Sequence, residues 1–221
     1  MMPERDPAVE WLVRDMRSHL RKRPKRHQLS DAGAYAFDLY ETNTASMPTY
    51  ELACKAGCGS CCAAHVGVEV AEAFAIVRHL HQTRTPDVFT ALMARVAEIA
   101  AEVGELDPGT RWVKQVFCAF LDPDSQSCTI YPVRPLACRG YNSNDLDACN
   151  LSTANLDHDQ PIPADAVRML RAQQLRQALA EVTARMIDQD GMTDHAELHS
   201  ALTAAHAADS ELAWMRANKH G

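Results

Sequence analysis

Apolar residues recur every three or four positions along most of the chain, a spacing typical of amphipathic helices. In residues 7–22, for example, Val9, Leu12, Val13 and Met16 fall on one helical stripe, with charged residues on the other side. The same spacing predicts helices over the segments 7–22, 30–43, 70–80, 86–103, 164–189 and 194–217. Most of the chain is therefore expected to be helical.

Capping residues and stripe positions refine this prediction. Ser30 or Asp31 is expected to cap the second helix, because short polar side chains accept the free N–H groups of a first turn. On the long helix over 164–189, Val167 and Leu170 are expected to point inward with the apolar residues that follow them. A last helical region is expected over 194–217.

The stretch 117–131 follows a different pattern. Residues 117–121 and 128–131 are short β-like runs, and the turn-forming residues 122–127 lie between them, which favours a small hairpin. The predicted fold is mainly α, a helical domain around a central cysteine-rich metal-binding module with a small β-hairpin. N-terminal helices are expected over 1–49, the cysteine module over 50–150 and a C-terminal helical region over 151–221, within one compact domain.

Composition and charge limit the classes of function that are expected for this chain. Hydrophobic residues make up 47% and charged residues 23% of the 221 residues, as in globular proteins. Residues 1–27 hold eight Lys/Arg against four Asp/Glu, so the rest of the chain carries a net charge of −11. Such an acidic body argues against broad nucleic-acid binding, and the basic stretch 21–26 is typical of a solvated helix end.

The sequence shows no signal that would direct the protein away from the cytoplasm. It has no run of about 18 apolar residues that would predict a membrane span. The first residues lack the basic-then-apolar pattern of a secretory signal. We therefore expect a cytoplasmic protein, whose thiols stay reduced.

All eight cysteines lie between positions 54 and 149. Four of them fall within nine residues, and Gly57 and Gly59 allow the tight backbone turns that converging sulfurs require. Thiolates are soft ligands that suit zinc or an iron–sulfur centre. The predicted metal ligands are Cys54, Cys58, Cys61, Cys62, Cys118, Cys128, Cys138 and Cys149.

The division of these thiols between sites stays open at this point. Adjacent Cys61 and Cys62 point in different directions in regular backbone, so they can serve two centres. Eight thiolates suffice for two four-cysteine sites, or for one cluster plus spare ligands. The neighbouring cations Lys55, Arg134 and Arg139 could offset the negative charge of such a centre.

The same residues carry a family resemblance. The pattern Cys-x3-Cys-Gly-Ser-Cys-Cys at 54–62, FCAFLD at 117–122 and CTIYPVRPLACR at 128–139 resembles the YkgJ-type cysteine-cluster family, which is named for a CxxCxxCC signature. Three residues separate Cys54 from Cys58, where the signature has two. The resemblance covers about residues 50–150 and implies chelation of zinc or iron, with no settled activity to inherit.

Other functions remain as alternatives. The rival hypothesis is an iron–sulfur-dependent enzyme or electron carrier, with a [4Fe–4S] cluster and methyl transfer as an option, since methyl transfer is proposed for some relatives. The spacing Cys54-x3-Cys58-x2-Cys61 is also that of radical S-adenosylmethionine enzymes, but the β/α barrel pattern of that fold is missing. Cys58-x2-Cys61 has the spacing of a thiol–disulfide oxidoreductase without the surrounding βαβ pattern. The sequence assigns no catalytic residue.

Histidines offer weaker signals. His195 and His199 are four residues apart, but Glu197 does not directly follow the first histidine, so the metalloprotease motif fails. The pair is expected to be two solvated helix histidines. His65, just after the first cysteine group, could serve as a spare ligand, although a loop histidine satisfied by its surroundings is the more common case.

Overall fold

The computed structural model describes residues 6–47, 52–55, 57–157, 159 and 161–219 and confirms a mainly α fold. Two short strands, β1 (Gly67–Val68) and β2 (Ala196–Glu197), form an antiparallel pair with Gly67 opposite Glu197. The α-helices are α1 (Pro7–Leu20), α2 (Gln28–Ala45), α3 (Val70–Thr83), α4 (Pro86–Val103), α5 (Pro108–Lys114), α6 (Leu136–Gly140), α7 (Leu146–Asn155), α8 (Ala166–Met186), α9 (Leu198–Ala207) and α10 (Glu211–Ala217).

Local capping explains where several helices begin. The side chain of Asp6 accepts the N–H of Ala8 at the start of α1, and that of Asp165 accepts the first N–H groups of α8. A carboxylate at this position satisfies N–H groups that have no partner within the helix. Helices α5 and α7, which the apolar spacing does not predict, also begin after capping aspartates, Asp107 and Asp145.

The predicted cap of α2 is wrong, because this helix begins two residues earlier. Ser30 and Asp31 lie inside its first turn. The free N–H groups of Leu29 and Ser30 instead donate to the carboxylate of Glu211, at 2.9 and 3.1 Å. The helix end is therefore capped by a residue from the far end of the chain, which local sequence does not reveal.

One apolar core joins the helices. Helix α2 packs between α3 and α8, α1 packs on α8, and α9 packs on α3 and α4. Two glycines permit the closest approaches: a Cβ on Gly33 of α2 would lie 2.2 Å from the carbonyl oxygen of Ala71 in α3, and one on Gly140 of α6 would lie 2.4 Å from the Cβ of Ala172 in α8.

The C-terminal predictions need two corrections. Val167 and Leu170 are 58% and 52% exposed, because α8 begins its contact with the core at Ala172. The region 194–217 is not one helical stretch but consists of strand β2 and helices α9 and α10, with Ser210 capping the second of them. Among the described residues, no helix combines the length and apolar character needed to cross a membrane.

The stretch 117–131 folds back on itself, as the hairpin prediction requires, but it forms a single bridge between Leu121 and Cys128 rather than two strands. Hydrogen bonds from Asp122 N to Ser127 O and from Thr129 N to Phe120 O, at 2.9 and 2.8 Å, close the turn. The paired strands of the described residues are β1 and β2. Long-range pairing of this kind gives no local signal in the sequence.

Candidate metal centre

One cavity of about 380 Å³ gathers most of the cysteines. It lies where α2, α6 and the start of α9 meet the irregular segments of the cysteine module. Seven of the eight cysteines line it: Cys54, Cys58, Cys61, Cys62, Cys118, Cys128 and Cys138. The eighth, Cys149 of α7, is outside the lining and interacts electrostatically with Cys54.

The first four cysteines sit on a loop that ends in a short 3-10 turn, Ser60–Ala63. Gly57 adopts a φ of +86°, a conformation that glycine takes without the steric cost of a side chain. A Cβ on Gly59 would lie 2.8 Å from the Leu121 side chain. The loop can therefore pack directly on the turn that carries the second cysteine group.

Backbone hydrogen bonds connect the first cysteine group, Cys54 to Cys62, to the segments that carry the second group, Cys118 to Cys149. The N–H of Cys118 donates to the carbonyl of Cys62 at 2.9 Å. At the other side of the loop, Ala53 N donates to Ser143 O at 2.8 Å, and the N–H of Ser143 donates to the sulfur of Cys54 at 3.1 Å. These contacts join segments that lie far apart in sequence, so the cavity depends on the whole module being folded.

The cavity thiols of Cys61, Cys118 and Cys138 each have a raised pKa. Burial raises the pKa of Cys118 and of Cys138 to about 12. The neighbouring thiol of Cys62 raises the pKa of Cys61 well above its usual range. A divalent cation favours the thiolate and displaces these protons, so metal uptake and proton release are coupled at this cavity.

The donor set fits zinc or iron, although the thiols are spread around the cavity. Across the residues that the structure describes, no group of three or more Cys, His, Asp or Glu side chains converges tightly enough to hold a metal ion. Seven soft sulfur donors facing one space nevertheless match the preferences of zinc and iron. His65 is exposed and does not line the cavity.

Four guanidinium groups also line the cavity, and three of them have carboxylate partners. Arg111 pairs with Glu197 at 2.7 Å, Arg168 pairs with Asp165 at 3.2 Å, and Arg139 pairs with Glu41. These pairs fix the guanidinium groups in place while leaving less of their charge for other ligands.

The fourth guanidinium, that of Arg134, is different. It stacks over the Tyr131 ring at 4.2 Å, and its buried Nε has no hydrogen-bond partner within the described part of the chain. Its positive charge lowers the pKa of Cys61, Cys128 and Cys138, opposing the rise that the neighbouring thiol or burial causes. Of the cations predicted to offset thiolate charge, Arg134 therefore has the clearest electrostatic effect.

Arg139 mainly holds the backbone of a neighbouring turn in place. Its buried side chain donates to the carbonyl oxygens of Pro132 and Arg134, at 2.6 and 2.8 Å, and lies over the ring of Phe37. A planar guanidinium can make several such bonds at fixed angles. The turn that leads to Cys138 is held in this way against α2.

The prediction of two solvated histidines is wrong for His199, which is fully buried at the cavity wall. Its Nε2 accepts the N–H of Ala119 at 3.1 Å, so Nδ1 carries the proton and donates to Glu197 at 2.8 Å. Burial raises the pKa of Glu197, but hydrogen bonds from His199 and Arg111 outweigh it and lower that pKa to about 2. His195 is 41% exposed and lies 3.1 Å from Glu69, but it lies just before β2 rather than on a helix, so the helical part of the prediction is wrong for it too.

Comparison with known families agrees with this chemistry. Residues 53–160 match the model of the CxxCxxCC family, described as "Putative zinc- or iron-chelating domain". Comparisons with curated proteins and with solved structures gave no match. Residues 53–160, which include all eight cysteines, therefore form a domain of the CxxCxxCC family.

Proposed function

We propose that the protein binds zinc or iron through the thiolates of its cavity, and that the bound metal holds the cysteine module together. One observation carries the proposal: seven cysteines from separate stretches of the sequence line the same space. Buried cysteines that serve only as small apolar residues would have no reason to share one cavity. Metal binding of this kind contributes directly to folding stability.

The electrostatic contacts between thiols suggest how the ligands divide. Cys61, Cys128 and Cys138 interact with one another, and Cys118 interacts with Cys128 and Cys138. We assign these four to an inner site. The remaining cysteines, Cys54, Cys58, Cys62 and Cys149, would form an outer site beside it. Cys61 would lie at the boundary between the two sites, because it also interacts with Cys54 and Cys62.

The residues around the thiols would support a metal in defined ways. Four thiolates around a divalent cation leave a net charge of −2, and Arg134 is the guanidinium best placed to offset it. His199 would keep Cys118 in position through the Ala119 N–H. A bound zinc would stabilise the fold, whereas an iron–sulfur cluster would add the capacity to accept and release one electron.

Metal analysis of protein purified without oxygen and without added metal tests the proposal. About one or two zinc ions per chain in a colourless solution would support thiolate sites of the structural kind. Iron with acid-labile sulfide, and a brown absorption that dithionite bleaches, would support the proposal with a cluster as the bound group. Metal-free protein with all eight thiols reactive, which gains no metal on reconstitution with either ion, would overturn it.

An iron–sulfur electron carrier or enzyme is the second candidate. It rests on the same seven thiols, because a [4Fe–4S] cluster is held by four thiolates, as a four-cysteine zinc ion is. A thiol–disulfide oxidoreductase has less support, because the pKa of Cys61 is raised whereas an attacking thiol needs a lowered pKa. The absorption spectrum separates the zinc form from the cluster form.

A further inference from the structure

A second cavity, of about 510 Å³, lies at the far ends of three helices and collects basic side chains. We call it the basic groove. It shares no lining residue with the cysteine cavity. The cations around it come from α1 and the turn after it, from α8 and from the end of the chain, and they are Arg17, Arg21, Lys25, Arg185, Arg216 and Lys219.

The helix ends explain why basic residues occur here, but not why so many share one groove. A single Lys or Arg near a helix C-terminus is favourable because it meets the negative end of the helix dipole. The ends of α1, α8 and α10 converge, so residues that are separately favourable are brought together. Six like charges around one groove then repel one another, in a protein whose net charge is −7.

Most of this charge has no internal partner. Arg185 pairs with Glu181 at 3.1 Å, and Lys219 pairs with Asp188 at 2.5 Å. The other four cations make no ion pair with any carboxylate in the described ranges; they are Arg17, Arg21, Lys25 and Arg216. An anionic ligand with several charges would relieve their repulsion.

The floor of the groove is apolar. Leu20, Val182 and Met215 are buried beneath the charged rim, and Leu212 and Met186 are half-buried beside them. Pockets of 300–1,000 Å³ with an apolar lining and a few polar groups are typical of small-molecule sites. The rim suits phosphate groups, and the floor suits an apolar or aromatic body.

We propose that the basic groove binds a small molecule that carries two or more phosphate groups on an apolar or aromatic body, as nucleotides do. Guanidinium and ammonium groups on the rim contact the phosphates, and the body of the ligand lies on Leu212 and Met186. The site is separate from the metal centre and does not depend on its occupancy.

Calorimetric titration of the 221-residue protein with ATP and with tripolyphosphate, at low and at physiological salt, tests the groove. Arg21→Glu and Arg216→Glu should each weaken ATP binding about tenfold, the loss of one charge-assisted contact. Arg14→Glu is the matched control, because Arg14 is exposed on α1, the helix that Arg21 follows, but does not line the groove. It should change ATP affinity by less than about twofold, because salt largely screens a charge that does not touch the ligand.

A second variant separates the floor from the rim. Leu212→Ser should weaken ATP binding while tripolyphosphate, which has no apolar body, binds as to the unchanged protein. Each variant is checked for an unchanged thermal unfolding midpoint before titration. The proposal is overturned if neither anion binds at millimolar concentration, or if Arg14→Glu weakens binding as much as Arg21→Glu.

Discussion

The Nε2 of His199 accepts a hydrogen bond from the backbone N–H of Ala119 at 3.1 Å, and this bond ties helix α9 to the residue that follows Cys118. His199 is itself held by Glu197, whose other strong partner is the buried guanidinium of Arg111. A chain of three buried polar side chains therefore fixes one cysteine of the cavity. Because every member is hydrogen-bonded, the chain can be buried without the cost of unsatisfied groups.

Replacing His199 by Phe should leave Cys118 less firmly positioned. The variant fills the space but leaves the Ala119 N–H without a partner and removes one of the hydrogen bonds to the Glu197 carboxylate, which Arg111 still pairs. This should lower the free energy of unfolding by about 1–3 kcal/mol. Urea denaturation of the metal-free protein measures this loss. Competition with a chelator should also show faster metal loss, because Cys118 is no longer held in position.

The control for this variant is His206→Phe, on the same helix and exposed. A surface change of this kind should alter stability by less than about 0.5 kcal/mol. Equal effects of the two substitutions would contradict a positioning role for His199.

Sequence patterns predicted the local elements of this fold better than its long-range contacts. The period of apolar residues located α1, α3 and α4, because those helices bury one face against a common core. The cap of α2 was predicted wrongly because the carboxylate that satisfies it comes from Glu211, more than 180 residues away. No local signal marks a partner at that separation.

The candidate site shows the same contrast between local features, which the sequence predicts, and long-range contacts, which it does not. Cysteine spacing and soft-ligand chemistry predicted the thiols as a set. The polar partners at the cavity wall were missed, because Arg111 and His199 meet only through tertiary folding. Glu197 pairs with both of them in the structure. In the sequence it is only a glutamate two positions before a histidine, which does not indicate that pairing.

The division of thiols into an inner and an outer site predicts unequal effects of two serine substitutions. Cys138→Ser should abolish the tightest metal binding, because Cys138 interacts electrostatically with all three of the other cysteines assigned to the inner site. Cys149→Ser should leave that binding unchanged and cost at most the second metal equivalent. Metal content per chain after dialysis against a chelator checks both. Loss of all metal from Cys149→Ser, with Cys138→Ser unaffected, would reverse the assignment.

Buried carboxyl groups at the start of α3 should make the protein less stable as pH rises. Burial raises the pKa of Glu69 from its ordinary 4.5 to about 8, and burial also raises the pKa of Glu72. Between pH 4.5 and about 8 the folded state therefore holds a proton that the unfolded chain has lost. Stability contributed by Glu69 is complete below pH 4.5 and declines by at most about 1.4 kcal/mol per pH unit up to pH 8.

Glu69→Gln should reduce this decline, because the amide cannot ionise. Glu72, whose pKa is also raised by burial, keeps part of the slope in the variant. Urea midpoints at pH 5, 6.5 and 8 compare the two proteins. The exposed Glu98→Gln is the control and should follow the unchanged protein at every pH; an equally steep decline in Glu69→Gln would contradict the assignment.

The close contact between α6 and α8 sets the position of Cys138, and it leaves no room for a side chain at Gly140. A Cβ there would lie 2.4 Å from the Cβ of Ala172, so Gly140→Ala must push the short helix away from α8. Overpacking of this kind costs about 1–3 kcal/mol. Because α6 carries Cys138, the substitution should also lower metal affinity, which chelator competition measures.

Gly67→Ala provides the comparison, since its Cβ would meet its nearest neighbour at 3.4 Å, an ordinary contact. Replacing glycine by alanine at an unstrained position restricts the unfolded chain and stabilises by about 0.4–1 kcal/mol. Gly67→Ala should therefore keep its stability and its metal. If Gly140→Ala lost stability but kept full metal affinity, the position of α6 would not control the thiol of Cys138, and the inner site would have to draw on the remaining cysteines.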